Sequence, residues 1–274
     1  MTVARGADLL SGNAGVGAFN VIQLEHAEAI IAGAEAAGLP VIVQISENAV
    51  RYHGGLAALG TAALILARDA KLPIVVHLDH AEDESLIEEA LDLGFKSVMF
   101  DGSKLAWDEN LTRTAAMVKL CHEAGASIEA ELGEVGGKDG AHAPGVRTDP
   151  DEAARFVEAT GVDSLAVAVG TSHAMADRSA VVDLDLIAAL ASAVPVPLVL
   201  HGSSGVDDAG LQAAVRAGIR KVNIGTRLNQ VMTAVVRDRL AADPALSDPR
   251  KYLGPGRAAI QAEVTRMLEV LAKP

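Results

Sequence analysis

The chain predicts a (β/α)8 TIM barrel with one additional C-terminal helix. Eight short β-branched runs alternate with longer segments of helical period, the rhythm of βαβ units and a parallel sheet. Every run ends in polar residues, which is where a barrel of this kind carries its chemistry. No linker or low-complexity segment divides the 274 residues, so one domain over 1–274 is expected. An open doubly wound sheet is the runner-up, but no Gly-x-Gly-x-x-Gly follows the first run to support it.

The runs justify themselves in order. Val16–Val21 carries Asn20 at its end, and Val41–Ser46 carries Gln44 and Ser46, two residues apart and so on one face. Ile74–Asp79 is followed at once by His80, with His77 on the face of Asp79. Ser97–Gly102 holds Asp101, and Ser127–Leu132 sets Glu129 and Glu131 on one side. Ser164–Val169 leads into Thr171 and His173, Pro197–Gly202 ends His201-Gly202, and Lys221–Thr226 carries Asn223 and Thr226. The longest irregular stretch, Gly133 to Thr148, lies behind the fifth run and reads as a mobile active-site loop. The tail from Asp248 to Pro274 supplies the extra helix, expected to close the barrel bottom or to meet another subunit.

Composition narrows the function. Lys and Arg number 23 against 36 Asp and Glu, a formal charge of −13, and 3% of residues are aromatic, which argues against a nucleic-acid partner. An acidic protein that handles an anion must gather its few positive groups, or a metal, at the site. Cys121 lies in the helical stretch from Asn110 to Ala124 and reads as a small buried hydrophobe. Met1 to Ser11 lacks the apolar segment of a signal peptide. No run approaches the roughly 20 apolar residues that span a bilayer, so no membrane partner and a cytoplasmic location are expected.

Charged groups paired on one face of an apolar strand would be strongly destabilising in a packed core without partners. Convergence on a metal and a polar ligand resolves this. His80, His173 and His201 follow three different runs, so one barrel end gathers all three imidazoles. Neutral imidazoles with an open coordination position suit Zn2+, although Co2+, Fe2+ or Mn2+ fit the same donors. Glu131 is the candidate fourth ligand, and His77 is expected to orient a ligand or Asp79. His53 is placed above the second strand, and His26, His122 and His142 at surface or helix positions. Independently, His201-Gly-Ser-Ser-Gly205 and Asn223-Ile-Gly-Thr226 each close a strand and open a helix, a setting for phosphate.

These segments together resemble the class II, metal-dependent ketose-bisphosphate aldolases. The match is carried by Ala18-Phe-Asn-Val21, Gln44-Ile-Ser46, Val76-His-Leu-Asp-His80, Phe100-Asp-Gly-Ser103, Glu129-Ala-Glu-Leu-Gly133 and Gly170-Thr-Ser-His173. It continues through Leu198-Val-Leu-His-Gly-Ser-Ser-Gly205, Lys221-Val-Asn-Ile224 and Asp248-Pro-Arg250, in the family's order. The resemblance implies that His80, His173 and His201 bind a catalytic zinc and that Asp79 exchanges the proton of the substrate's C4 hydroxyl. Cleavage of C3–C4 in fructose 1,6-bisphosphate would then leave a zinc-stabilised enediolate of dihydroxyacetone phosphate, with glyceraldehyde 3-phosphate as the other product. It further implies that Gly202, Ser204, Asn223 and Thr226 hold the C1 phosphate, often with a monovalent cation. Asn20, Gln44 and Ser46 are expected substrate contacts, Asp139 the acid acting at C3, and Arg250 a contact to the second phosphate.

A retro-aldol carbanion needs either an iminium on lysine or a cation at the carbonyl oxygen. None of the eight lysines stands in the inward-facing carboxyl half of a run, since Lys221 begins the eighth at the wrong end. The sequence departs from its relatives at Ala174, where many have Gly, and in Gly136-Gly-Lys-Asp-Gly140, which has the single acid Asp139. Tagatose-bisphosphate and phosphorylated deoxy-ketogluconate cleavage are the alternatives within the class. Outside it stand a non-catalytic sugar-phosphate binding protein and a metal-assisted phosphate-ester hydrolase. A homodimer or homotetramer is expected.

Overall fold

The computed structural model describes residues 4–133, 147–171 and 180–273. Eight parallel strands close into a barrel, each paired with the next in sequence and the last with the first. They are β1 (Val16–Asn20), β2 (Val41–Ser46), β3 (Ile74–Ala81), β4 (Ser97–Phe100), β5 (Ser127–Leu132), β6 (Ser164–Val167), β7 (Leu198–Leu200) and β8 (Ile219–Ile224). Ahead of β1 lies a short α1 (Gly6–Leu9), and α2 (Leu24–Ala37) follows it. Two helices, α3 (Glu47–His53) and α4 (Ala57–Asp69), follow β2. The ring continues with α5 (Glu84–Leu93), α6 (Trp107–Glu123), α7 (Pro150–Thr160), α8 (Leu184–Ala193), α9 (Asp208–Ala217) and α10 (Thr226–Ala242), and α11 (Arg250–Ala272) ends the chain.

Local chemistry sets the helix starts. The side chains of Asp83, Asp149, Asp183 and Asp207 each accept backbone N–H groups from the first turn of α5, α7, α8 and α9. Each such cap satisfies donors that the helix cannot, an effect of about 1 kcal/mol.

The strands show the alternation that period-two patterning demands. Outward residues such as Phe19, Val43, Ile45, Val76, Leu78 and Ile128 join the helices in one large apolar core. Inward residues Val16, Ala18, Ile42 and Val75 form a separate small cluster with Leu10. This cluster fills the N-terminal end of the barrel, which α1 plugs, while Met99, Ala166 and Val199 are buried on the inward faces level with Glu129 and Glu131. Ala7 N–H donates to Ser127 Oγ at 3.4 Å, and a Cβ on Gly6 would come within 2.5 Å of Ser97 Oγ.

The C-terminal helix thus does not close the bottom. It lies against the flank, packed on α2, α10, α9 and β1. Its buried residues Ile260, Val264, Met267, Leu268 and Leu271 recur at helical spacing and form one long apolar stripe. A stripe of that length matches the side of the barrel, whereas the bottom has room only for the single turn of α1. Cys121 is buried in α6, as expected, and burial pushes its thiol up to about 12.

Strand limits differ from expectation in one place that matters. β8 begins at Ile219, which is buried and pairs with Leu198 of β7, so Lys221 is the third residue of the strand. Its side chain is inside the barrel, not at the strand's first position.

The α2–α11 contact is close enough to test. A Cβ on Gly33 would stand 2.8 Å from Val264 Cβ and 2.9 Å from the Gln261 carbonyl oxygen. Gly33→Val is expected to destabilise the fold by about 2–3 kcal/mol in urea titration, because overpacking outweighs any gain in helix propensity. An unchanged midpoint would refute the close packing of these helices.

Candidate active site

Simple alternation places Asp79 inside the barrel and sends its neighbour His80 outward. The register between β3 and β4 shifts between Leu78 and Ala81, and His80 adopts φ 53°, the one positive value at a non-glycine residue among the described residues. That conformation costs of order 1–3 kcal/mol. It keeps His80 at the site beside Asp79, with Nε2 3.9 Å from Asp79 Oδ1 and Nδ1 2.8 Å from Asp101 Oδ2. The ring stands edge-on to His201, with centroids 4.5 Å apart.

His201 is fully buried between two carboxylates: Nδ1 lies 2.8 Å from Glu131 and Nε2 3.0 Å from Glu129. Burial alone would lower its pKa, but hydrogen bonds to Glu129 and Glu131 overcome this and raise it to about 9. Glu129 in turn accepts from Lys221 Nζ at 2.7 Å. Burial would raise its carboxyl, yet Lys221 and His201 hold it down at about 2. Lys221 also reaches His77 Nε2 at 3.3 Å, and His77 Nδ1 lies 2.7 Å from Ser97 Oγ. Burial and Lys221 push the His77 pKa down to about 3, so its ring is neutral. His77 therefore touches neither Asp79 nor a histidine directly. It acts through Lys221 and Glu129, because its ring points toward the lower layer of the barrel.

The three amides expected to meet substrate converge on Asp79. Asn20 Nδ2 and Gln44 Nε2 donate to its Oδ2 at 3.1 and 3.4 Å, and Asn223 Nδ2 donates to Oδ1 at 3.2 Å. Gln44 Nε2 also donates to Asn20 Oδ1 at 3.0 Å. Burial would raise the Asp79 carboxyl, but the positive field of His80, Lys221 and His201 outweighs it and holds the pKa well below the usual carboxylate range. Asp79 is an anion gripped by neutral donors, the state required of a proton acceptor.

A cleft of about 300 Å³ opens above these groups and is lined by Asn20, Ser46, Asp79, His80, Asn223 and Thr226 among others. One wall is made by two turns. Gly202 adopts the left-handed φ 66° ahead of a 3-10 turn at Ser203–Gly205, and Ser203 Oγ donates to the Asn223 carbonyl, locking the β7 turn to the β8 turn. Gly225 and Thr226 start the 17-residue α10, whose free N–H groups favour an anion. Gly202, Ser204 and Thr226 face this cleft, whereas Gln44 is fully buried beneath it. Ser46 lines it while capping α3. Arg250 is elsewhere, exposed at the start of α11 and bound to Asp248 at 2.9 and 3.0 Å. His173, Asp139, Ala174 and His142 lie outside the described residues. Of the other histidines, His53 ends α3, His122 pairs with Asp163 on α6, and His26 is a buried α2 residue.

The donors fit a divalent cation. Ligand atoms of Asp79, His80 and His201 lie within 4.8 Å of one another, as do those of His80, Asp101 and Glu131. Imidazole nitrogens and carboxylate oxygens are the set that zinc takes in catalytic sites. The chain matches the family described as fructose-bisphosphate aldolase class-II over residues 7–273. It belongs to that family.

Class II fructose-bisphosphate aldolases are aldehyde-lyases and are generally zinc-dependent. The fructose-bisphosphate aldolase of Geobacillus stearothermophilus is 39% identical over 261 residues, covering 94% of this chain and 91% of that protein. That of Thermus caldophilus is 38% identical, with 93% and 92% covered. The crystal structure of the YdjI aldolase from Escherichia coli superposes with a TM-score of 0.86 at 30% identity, covering all of this chain and 98% of the other.

Within the aldolase site, sequence reasoning gave Glu129 and Lys221 no partner, and it noted Asp101 at a strand end and Ser203 in the β7 turn without assigning either a role. A signal for the first two exists: each is a charged residue on the inward face of its strand, and opposite charges there can pair across the barrel. The pairing is testable. Because the pKa of Glu129 is depressed from 4.5, its contribution to stability is complete above that pH and is lost as pH falls toward about 2. In metal-free protein, Lys221→Met should cost about 3–5 kcal/mol at neutral pH and move acid unfolding to higher pH. Urea titration across pH reads both, and an unaltered acid limb contradicts the ion pair.

Proposed function

We propose that this aldolase reversibly cleaves fructose 1,6-bisphosphate to dihydroxyacetone phosphate and glyceraldehyde 3-phosphate. The observation that carries the reading is Asp79, an anionic carboxylate hydrogen-bonded by three amides beside His80, facing a cleft with phosphate-type turns. The relatives named fructose-bisphosphate aldolase support the choice of sugar.

His80, His201 and Glu131 would hold Zn2+, with His173 completing the set as the family resemblance implies. When bound, the ion supplies Lewis acidity at the ketose carbonyl oxygen. Asp79 accepts the proton of the C4 hydroxyl as C3–C4 breaks and the C4 aldehyde forms, and it returns that proton in the condensation direction. The amides of Asn20, Gln44 and Asn223 fix the carboxylate without neutralising it. Asp139 is assigned the proton delivered to C3. Gly202, Ser204, Thr226 and Asn223 hold the phosphate at the ketose end, with a monovalent cation alongside, and Ser46 contacts the sugar from the opposite wall.

An imine route has no candidate here. Lys221 is inside the barrel but is committed to Glu129, and among the described residues no lysine lines the cleft. Among the described residues no single helix is long and apolar enough to cross a membrane. We read the enzyme as one cytoplasmic catalytic domain that works as a homodimer or homotetramer, which light scattering will size.

Chelation should abolish cleavage and Zn2+ restore it. Asp79→Ala should keep the metal yet lower kcat by roughly 100- to 10,000-fold, the usual loss for a general base. Undiminished turnover in that variant removes Asp79 from the mechanism. Triose-phosphate release from a panel of ketose phosphates fixes the substrate, and tagatose 1,6-bisphosphate or a phosphorylated deoxy-ketogluconate turning over as fast or faster overturns the assignment.

A further inference from the structure

We propose that Glu263 on α11 is a positioning residue for phosphate binding: through Arg227 and Arg266 it fixes the first turns of α10 and α9, and with them the spacing of the two turns that would hold the ketose-end phosphate. The proposal rests on the aldolase reading, which puts that phosphate on the β7 and β8 turns. It gives a task to the C-terminal helix, which neither closes the barrel nor lines the cleft.

The two turns are built on separate helices. Thr226 opens α10, whereas Ser203–Gly205 leads into α9, which Asp207 caps and Asp208 begins. Donors on both turns serve one anion only while all of them keep hydrogen-bond distance to it. The bond from Ser203 Oγ to the Asn223 carbonyl ties the turns together on the barrel side.

On the outer side α11 supplies a second brace. Arg227, next to Thr226, donates from Nε to Glu263 Oε1 at 2.9 Å. Arg266 grips the same carboxylate with two nitrogens, Nε to Oε2 at 3.2 Å and Nη2 to Oε1 at 2.8 Å, and its Nη1 donates to Asp208 Oδ2. Forked guanidinium contacts fix direction as well as distance. A single carboxylate thereby reaches the first turn of both helices.

Exposed ion pairs contribute little, but Glu263 is only 8% exposed, and a buried carboxylate is costly unless it is paired. Burial would raise its carboxyl, yet Arg266 and Arg227 hold it below the usual range. Glu263 and Arg266 meet Ser203 and Ser204 across a void of about 10 Å³, room for a single water and no ligand. Two carboxylates, Glu263 and Asp208, balance two guanidiniums, Arg227 and Arg266, so the cluster lends the phosphate no net charge. Its influence is geometric.

The test separates geometry from field by sign. A field effect would make Glu263→Gln tighten phosphate binding and Arg227→Gln loosen it, whereas a brace requires both to loosen it. Calorimetry on zinc-loaded enzyme measures the dissociation constant of dihydroxyacetone phosphate, and chelator competition measures zinc affinity. Each single variant should weaken dihydroxyacetone phosphate by about 3- to 10-fold, the worth of one net hydrogen bond, and the double variant should be no worse than either. Zinc affinity should not change. Asp208→Asn, at a more exposed position, repeats the test from the α9 side with the same expected sign, should Glu263→Gln fail to fold. Unchanged or tighter binding in the carboxylate variants overturns the proposal, as do additive losses. So does zinc affinity that falls in step, the mark of a barrel loosened as a whole. Failure of the aldolase reading has a different signature: wild-type enzyme that releases no triose phosphate from any ketose phosphate of the panel.

Discussion

The ion pair between Lys221 and Glu129 is the constraint on which the rest of the site depends. A (β/α)8 barrel is normally filled with apolar side chains, and here the apolar layer of Val16, Ala18, Ile42 and Val75 gives way to mixed layers in which Met99, Ala166 and Val199 stand beside charged residues. Above them the interior carries charge, and charge out of water is tolerable only where every group has a partner. Lys221 provides the positive centre, Glu129 joins it to His201, and His201 joins it to Glu131. Each layer is thereby satisfied by the one below, up to the open cleft. The same positive field holds Asp79 ionised without any arginine touching it.

A second constraint is the irregularity in β3. Regular alternation cannot present Asp79 and His80 to the same site, because neighbouring residues of a strand face opposite ways. The register shift and the left-handed conformation at His80 solve the problem locally. Strain of this kind persists only where the surroundings hold it, and Asp101 on the ring nitrogen and Glu47 on the following turn do so. Two polar groups of the site are thus delivered by consecutive residues from one strand, while their partners come from β1, β2, β8 and the ends of β4 and β7.

The two ends of the cleft differ in physical type. At one end the β7 and β8 turns and the start of α10 present backbone N–H groups and hydroxyls, a neutral setting of the kind that favours anions. At the other stands the start of α3, where Glu47 bridges to the turn after β3.

The sequence alone determined the strand count, the order of the polar strand ends and the glycine turns after β7 and β8, because these follow from local periodicity, glycine placement and residue chemistry. Family resemblance added the reaction. The strand reading misplaced Lys221, put at the first position of its strand, and left open whether His77 orients a ligand or Asp79, whereas it contacts Lys221 and Ser97. Both outcomes arise from closure: whether an inward side chain meets solvent, substrate or an opposite charge depends on the strands across the barrel. The same holds for Asn20, Gln44 and Asn223, whose amides turn on Asp79. Only tertiary structure decided these partners, since the groups involved are up to 144 residues apart in the chain and meet solely because the eighth strand pairs with the first.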